Sequence, residues 1–125
     1  MILLVEDHAD TAAVMVRLLK HCGYDAAVVS TGAAALKWVQ GTRPSVIVLD
    51  LMLPDMSGFD VMASVRRMPG LTDVPIVVVT GNDSEHATKW ARQLGANKVV
   101  VKGSVVPSVL CDVIARYAGI SGETG

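Results

Sequence analysis

Four stretches of the chain are apolar on consecutive residues: Ile2-Leu3-Leu4-Val5, Val46-Ile47-Val48-Leu49, Ile76-Val77-Val78-Val79 and Val99-Val100-Val101. A strand with one wet face alternates apolar and polar residues. Unbroken runs therefore predict strands covered on both faces, as in a parallel sheet between helices. A fifth run, Ala26-Ala27-Val28-Val29, has smaller side chains and suits an edge strand. Between the runs, apolar residues recur at helical spacings of three and four. Met15, Leu18, Leu19 and Cys22 form one row, closed by Gly23. Ala35, Leu36 and Val39 form a second before Gly41 and Pro44, and Met62, Val65 and Met68 a third before Pro69-Gly70. Ala87, Trp90, Ala91 and Leu94 precede Gly95, and the longest row is Val106, Val109, Leu110, Val113, Ile114 and Tyr117. A strand then a helix, five times over, predicts an open α/β sheet with right-handed crossovers.

Composition narrows this picture. The chain has 125 residues, room for one domain, which the pattern places at residues 1–118 with a flexible tail or linker start at 119–125. Eleven basic residues against twelve acidic ones give a net charge of −1, and the only adjacent basic pair is Arg66-Arg67. A direct nucleic-acid or membrane-surface footprint needs clustered Lys and Arg, so neither is expected. The longest uncharged stretch, residues 26–36, is far short of the roughly 18–20 apolar residues of a membrane span. The first residues lack a basic leader and reach Glu6-Asp7 too early for a signal peptide. Two cysteines, Cys22 and Cys111, are too few for a disulfide scaffold. They are read as small hydrophobes in a reducing, cytoplasmic setting.

Candidate chemistry lies just after the apolar runs, because ligands of an open parallel sheet bind outside the carboxyl ends of its strands. Glu6-Asp7 follow the first run, Asp50 the run at 46–49, Thr80 the run at 76–79 and Lys102 the last. Asp7 and Asp50 held close would repel unless a cation sat between them. Oxygen donors of this kind favour Mg²⁺. Lys102 offers a mobile point charge to a phosphoryl oxygen, and Thr80 a hydroxyl. The chemistry such a group serves is phosphoryl transfer, with a carboxylate able to be the nucleophile.

Together these residues resemble the response-regulator receiver domains of two-component signalling. The most specific segment is Val48-Leu49-Asp50-Leu51-Met52-Leu53-Pro54-Asp55-Met56-Ser57-Gly58-Phe59-Asp60, supported by Val5-Glu6-Asp7, Val79-Thr80-Gly81 and Val101-Lys102. The resemblance covers residues 2 to about 117 and implies a flavodoxin-like, doubly wound sheet of five parallel strands, order 2-1-3-4-5, with five helices. It implies that Asp50 accepts phosphate from the phosphohistidine of a histidine kinase or phosphotransfer protein. Asp7 would bind Mg²⁺ directly, Glu6 mostly through water, and Asp50 and the Met52 carbonyl would complete the metal set. Thr80 would turn toward the phosphoryl group and Lys102 pair with it, while Pro54 and Gly58 shape the loop and Gly81 leaves access. The segment Val5-Glu6-Asp7-His8-Ala9-Asp10-Thr11 is similar to receivers fused to hybrid histidine kinases.

Two positions depart from the family pattern. Gly103 stands where proline usually follows the lysine, and a cis bond to a non-proline costs about 2.5–4 kcal/mol, so a trans bond and an altered loop are expected. Val99 replaces a frequent aromatic, which removes a rotamer switch and leaves output to backbone shifts around the fourth helix. Other residues read as ordinary. His8 is a solvent-exposed loop histidine, Asp55 and Asp60 are loop and helix-start acids, Trp90 sits at the core edge and Trp38 is partly exposed.

The function expected is a phosphoacceptor switch that changes affinity for a downstream protein or domain. It is not an enzyme beyond self-catalysed phosphorylation and slow autodephosphorylation. A pseudo-receiver that binds partners without phosphorylation is the alternative, resting on Gly103 and Val99. An aspartyl phosphohydrolase would resemble an Asp-x-Asp pattern, which Glu6-Asp7 and Asp50-x-Met52 do not supply.

Overall fold

The computed structural model describes residues 1–81, 85–101 and 107–122. Strands and helices alternate throughout: β1 (Ile2–Val5), α1 (Ala9–His21), β2 (Ala26–Val29), α2 (Gly32–Gly41), β3 (Val46–Leu49), α3 (Gly58–Arg67), β4 (Ile76–Thr80), α4 (Glu85–Gln93), β5 (Lys98–Val101) and α5 (Pro107–Gly122). The five strands form one parallel sheet in the order β2-β1-β3-β4-β5. This is the doubly wound, five-helix architecture anticipated. α5 continues past Ala118, where the sequence pattern placed the end of the domain.

The unbroken apolar runs have a direct cause in the two cores. Leu3, Val5, Ile47, Leu49, Ile76 and Val78 project to one face and pack with Ala35 and Val39 of α2, Val61, Met62 and Val65 of α3 and Ala91 of α4. Their neighbours Ile2, Leu4, Val46, Val48, Val77 and Val79 project to the other face. There they meet Ala12, Met15 and Leu19 of α1 and Leu110, Ile114 and Ala118 of α5. A period of two along each strand thus feeds two dry faces, and neither position can be polar. β2, with one exposed valine, is an edge as expected.

At the amino edge of the sheet, Arg66 joins two loops. Its guanidinium donates to the carbonyls of Leu71 (3.2 Å), Val74 (2.7 Å) and Gly95 (2.6 Å) and to Asn97 Oδ1 (3.3 Å). Asn97 Oδ1 also accepts from the amide of Ile76 (2.9 Å), where β4 begins. Burial pulls the Arg66 pKa down, while Asp73 opposes that shift. Gly95 ends α4 with φ at 106°, and a Cβ there would stand 2.6 Å from Arg66 Nε, so only glycine both turns the chain and seats the guanidinium.

Two expectations are corrected. Trp90, expected at the core edge, is 57% exposed, while Trp38 is partly exposed as expected and packs on the rim of the core beneath α2, α3 and α4. Cys22, the C-cap of α1, is joined in a disulfide to Cys111 of α5, with Cα atoms 5.8 Å apart. That spacing lies in the preferred range for a disulfide. The two helices share one face of the sheet, a proximity that 89 residues of separation conceal. Cys111→Ala, or reduction of the wild type, lowers unfolding free energy by about 2–4 kcal/mol in chemical denaturation, and the variant no longer responds to reductant.

Candidate functional site

Strand order reverses between β1 and β3, so their crossover helices leave on opposite faces and a crevice opens at the carboxyl ends. The register sets what lines it. Val5 pairs with Leu49, and the ladder extends one step further as the Asp50 amide donates to the Val5 carbonyl (3.1 Å). Glu6 is held from the other side by its amide, which donates to the Val29 carbonyl (3.0 Å). Glu6 and Asp50 are therefore pinned by backbone, and both are buried, at 2% and 5% exposure. Thr80 ends β4 opposite Val101 and is buried at 1%. These three are the buried polar or charged residues among those described. Lys102 and Gly103 lie outside the described residues.

Donor atoms of Glu6, Asp7, His8 and Asp50 all lie within 4.8 Å of one another. Three carboxylates at that spacing repel unless positive charge or protons intervene. Asp7 Oδ1 is buried and accepts no hydrogen bond from the described residues. A buried oxygen so placed beside two more carboxylates fits a hard cation, because oxygen donors satisfy Mg²⁺ and the ion supplies the missing partner. The cleft above them, about 370 Å³, is lined by Asp7, His8, Asp50, Met52, Leu53, Pro54 and Gly81. Thr80 is not in this lining; it directly precedes Gly81, which is.

The loop after β3 is tied at several points. The Met52 amide donates to Asp50 Oδ1 (3.0 Å), orienting the carboxylate, and Met52 and Ser57 form an antiparallel bridge. The Gly58 amide donates to the Leu51 carbonyl (2.8 Å), and Ser57 caps α3 by accepting from the Phe59 amide (3.0 Å). A Cβ on Gly58 would meet the Asp50 carbonyl oxygen and Leu51 Cα, each at 2.7 Å, so glycine is required by backbone approach.

Asp55, read from sequence as a loop acid, has a definite task. Its two carboxylate oxygens accept from the amides of Gly32 (2.8 Å) and Ala33 (2.9 Å), while Thr31 Oγ1 accepts from Ala34 (3.0 Å). The Ala35 amide donates to the Thr31 carbonyl (3.1 Å), so the four initial amides of α2 are all satisfied. Pattern reading missed this cap because the acid comes from 23 residues away. The Ala33 amide, then that of Gly32, holds the Asp55 pKa below its ordinary 3.8.

Comparison with known proteins follows this geometry closely. The response regulator receiver domain family matches residues 2–114. The chain belongs to that family. The receiver is 36% identical over 119 residues to the sensory transduction protein RegX3 of Mycobacterium tuberculosis, covering 95% of this chain and 49% of that protein. It is 35% identical over 115 residues to the DNA-binding response regulator MtrA of the same species, covering 92% of this chain and 49% of MtrA. The chain thus spans about half the length of these relatives. Among solved structures, the receiver domain of the sensor histidine kinase PA1611 of Pseudomonas aeruginosa, with magnesium in its active-site cleft, superposes with a TM-score of 0.87. That match has 27% identity and covers 94% of this chain and 96% of the other. Relatives thus include both a DNA-binding regulator and a kinase-borne receiver, and the chain is a receiver domain of two-component signalling.

Two outcomes test how the loop is held. Gly58→Ala lowers stability by about 1–3 kcal/mol in urea melts, because backbone rather than a mobile side chain fills the space. The depressed Asp55 pKa makes its contribution complete above 3.8 and lost as pH falls through the folded value. The melting-temperature advantage of wild type over Asp55→Asn is therefore constant from about pH 5 upward and closes below that, as thermal melts across the range measure.

Proposed function

We propose that this cleft is a phosphoacceptor site, with Asp50 receiving a phosphoryl group from the phosphohistidine of a histidine kinase or phosphotransfer protein. The observation that carries the reading is a buried carboxylate at the end of β3, oriented by the Met52 amide and gathered with Glu6 and Asp7 beneath an open cleft. In the transfer, a carboxylate oxygen of Asp50 forms a bond to phosphorus while the phosphorus–nitrogen bond breaks and its electron pair returns to the imidazole. The product is an acyl phosphate on Asp50.

Asp7, Glu6, Asp50 and the Met52 carbonyl would hold Mg²⁺, and the magnesium in the PA1611 cleft supports that set. Bound there, the ion neutralises the carboxylates and the incoming phosphoryl oxygens. Thr80 donates its hydroxyl to a phosphoryl oxygen once transfer is complete, and Lys102 supplies the remaining positive charge. Gly81, at the rim of the cleft, keeps access open.

The consequence is a changed affinity for a downstream protein or domain, transmitted by backbone shifts around α4. Val99 lies half-buried against the core that includes Ala91 of α4, and no aromatic stands there to switch. The receiver turns over no separate metabolite and hydrolyses its own acyl phosphate slowly. It works in the cytoplasm without touching nucleic acid or membrane itself, and no helix of the described residues is long and apolar enough to cross a membrane. A phosphorylation-independent role is disfavoured, since the acid cluster and Thr80 are all in place.

Incubated with Mg²⁺ and a small acyl-phosphate donor, the wild type gains the mass of one phosphoryl group. Asp50→Asn gains none, and chelation of the metal abolishes the gain. An unmodified wild type, or equal modification of Asp50→Asn, overturns the reading.

A further inference from the structure

The cluster contains one donor that oxygen-only coordination does not need. His8 is the N-cap residue of α1, yet its side chain makes no capping hydrogen bond. Its ring turns toward the acids, with Nδ1 3.4 Å from Glu6 Oε2 and 3.3 Å from Asp7 Oδ1. Those distances are long for a hydrogen bond, whose N···O separation centres on about 2.9–3.0 Å. They are also nearly equal, and the His8 amide donates to the same Glu6 Oε2 (3.3 Å), so the ring faces both carboxylates with only a long contact to each. Around an octahedral ion with bonds of about 2.1 Å, adjacent ligands stand about 3 Å apart and opposite ones about 4.2 Å. The two short separations approach the first value, and the 4.8 Å limit on the whole set lies close to the second. Asp7 Oδ1, which lacks a hydrogen-bond partner, is the oxygen nearest to Nδ1. With 70% of its side chain exposed, His8 has room to turn the few tenths of an ångström that coordination asks.

We propose that His8 is a direct ligand of the cation held by Glu6, Asp7 and Asp50, and that it shifts the preference of the cleft from Mg²⁺ toward later first-row ions that accept imidazole, such as Co²⁺. The proposal rests on reading this cleft as the cation site and adds to it the residue that sets which cation is taken. The chemical ground is donor type. Mg²⁺ favours oxygen and surrenders water reluctantly, whereas Co²⁺ gains from a neutral ring nitrogen. Such an ion would neutralise the same carboxylates, so the phosphoacceptor chemistry stands with either.

The 125-residue chain titrated with MgCl₂ and CoCl₂ by calorimetry, in wild type and His8→Ala, reads the selectivity directly. The ratio of Co²⁺ to Mg²⁺ affinity falls about tenfold in the variant, on the scale by which ligand type separates these ions. Pulsed electron paramagnetic resonance of the Mn²⁺-loaded wild type shows nitrogen modulation, which disappears in His8→Ala while the metal is bound. Asp7→Ala loses both ions together, which separates the cleft from stray histidines on the surface. An unchanged affinity ratio, or bound Mn²⁺ without nitrogen modulation in wild type, overturns the role of His8 and leaves the phosphoacceptor reading intact. Failure of the wild type to bind any of the three ions overturns both.

Discussion

The register Val5↔Leu49 sets the ends of β1 and β3 side by side, and the carboxylates that follow them must share a volume a few ångströms across. That crowding is unfavourable by itself, and the molecule is arranged to sustain it. Backbone ladders clamp Glu6 and Asp50 from below, the Met52 amide fixes one Asp50 oxygen, and the two apolar cores prevent the strands from sliding apart. A shift of one residue in either strand would turn every inward side chain to the wrong face, so the same packing that stabilises the sheet also fixes the acid cluster. The site is a local electrostatic liability maintained by nonlocal hydrophobic burial.

Support at the two edges differs in kind. The carboxyl edge is held by short polar contacts in the loop from β3 to α3, with Asp55 reaching across to α2 and Gly58 allowing the backbone to close. The amino edge depends on Arg66, whose five-donor fork gathers carbonyls from two loops that share no sequence. A planar guanidinium suits this better than an ammonium would, because its acceptors lie in different directions. The amino edge is thus tied through one side chain, and the acid cluster and its cleft lie at the opposite edge.

Strand and helix order was readable because the three central strands are buried on both faces and each helix on one, so hydrophobic period separates them. The cluster of Glu6, Asp7 and Asp50 was readable for a related reason: residues after a parallel strand share an edge whatever the loops do. What escaped depends on contacts between distant segments. Asp55 caps a helix that precedes it in the chain, and neither partner carries a local capping signature for the other. Trp90 stands further out than expected because an apolar row identifies a helix face but not how far a bulky ring at its margin turns. His8 is exposed, as its loop position implied, and the direction of its ring toward two acids is a matter of rotamer that sequence does not fix.

The bond between Cys22 and Cys111 gives the chain a topology as well as a staple. It closes a ring that holds β2, β3, β4 and β5, while β1 and α1 remain on a linear arm outside it. The arm nevertheless supplies a central strand of the sheet, inserted between β2 and β3. A single backbone cut between Cys22 and Cys111 would leave one covalent molecule. A cut between β1 and α1 would free the strand that precedes Glu6 and Asp7, so the segment most needed by the acid cluster is the one the ring does not retain.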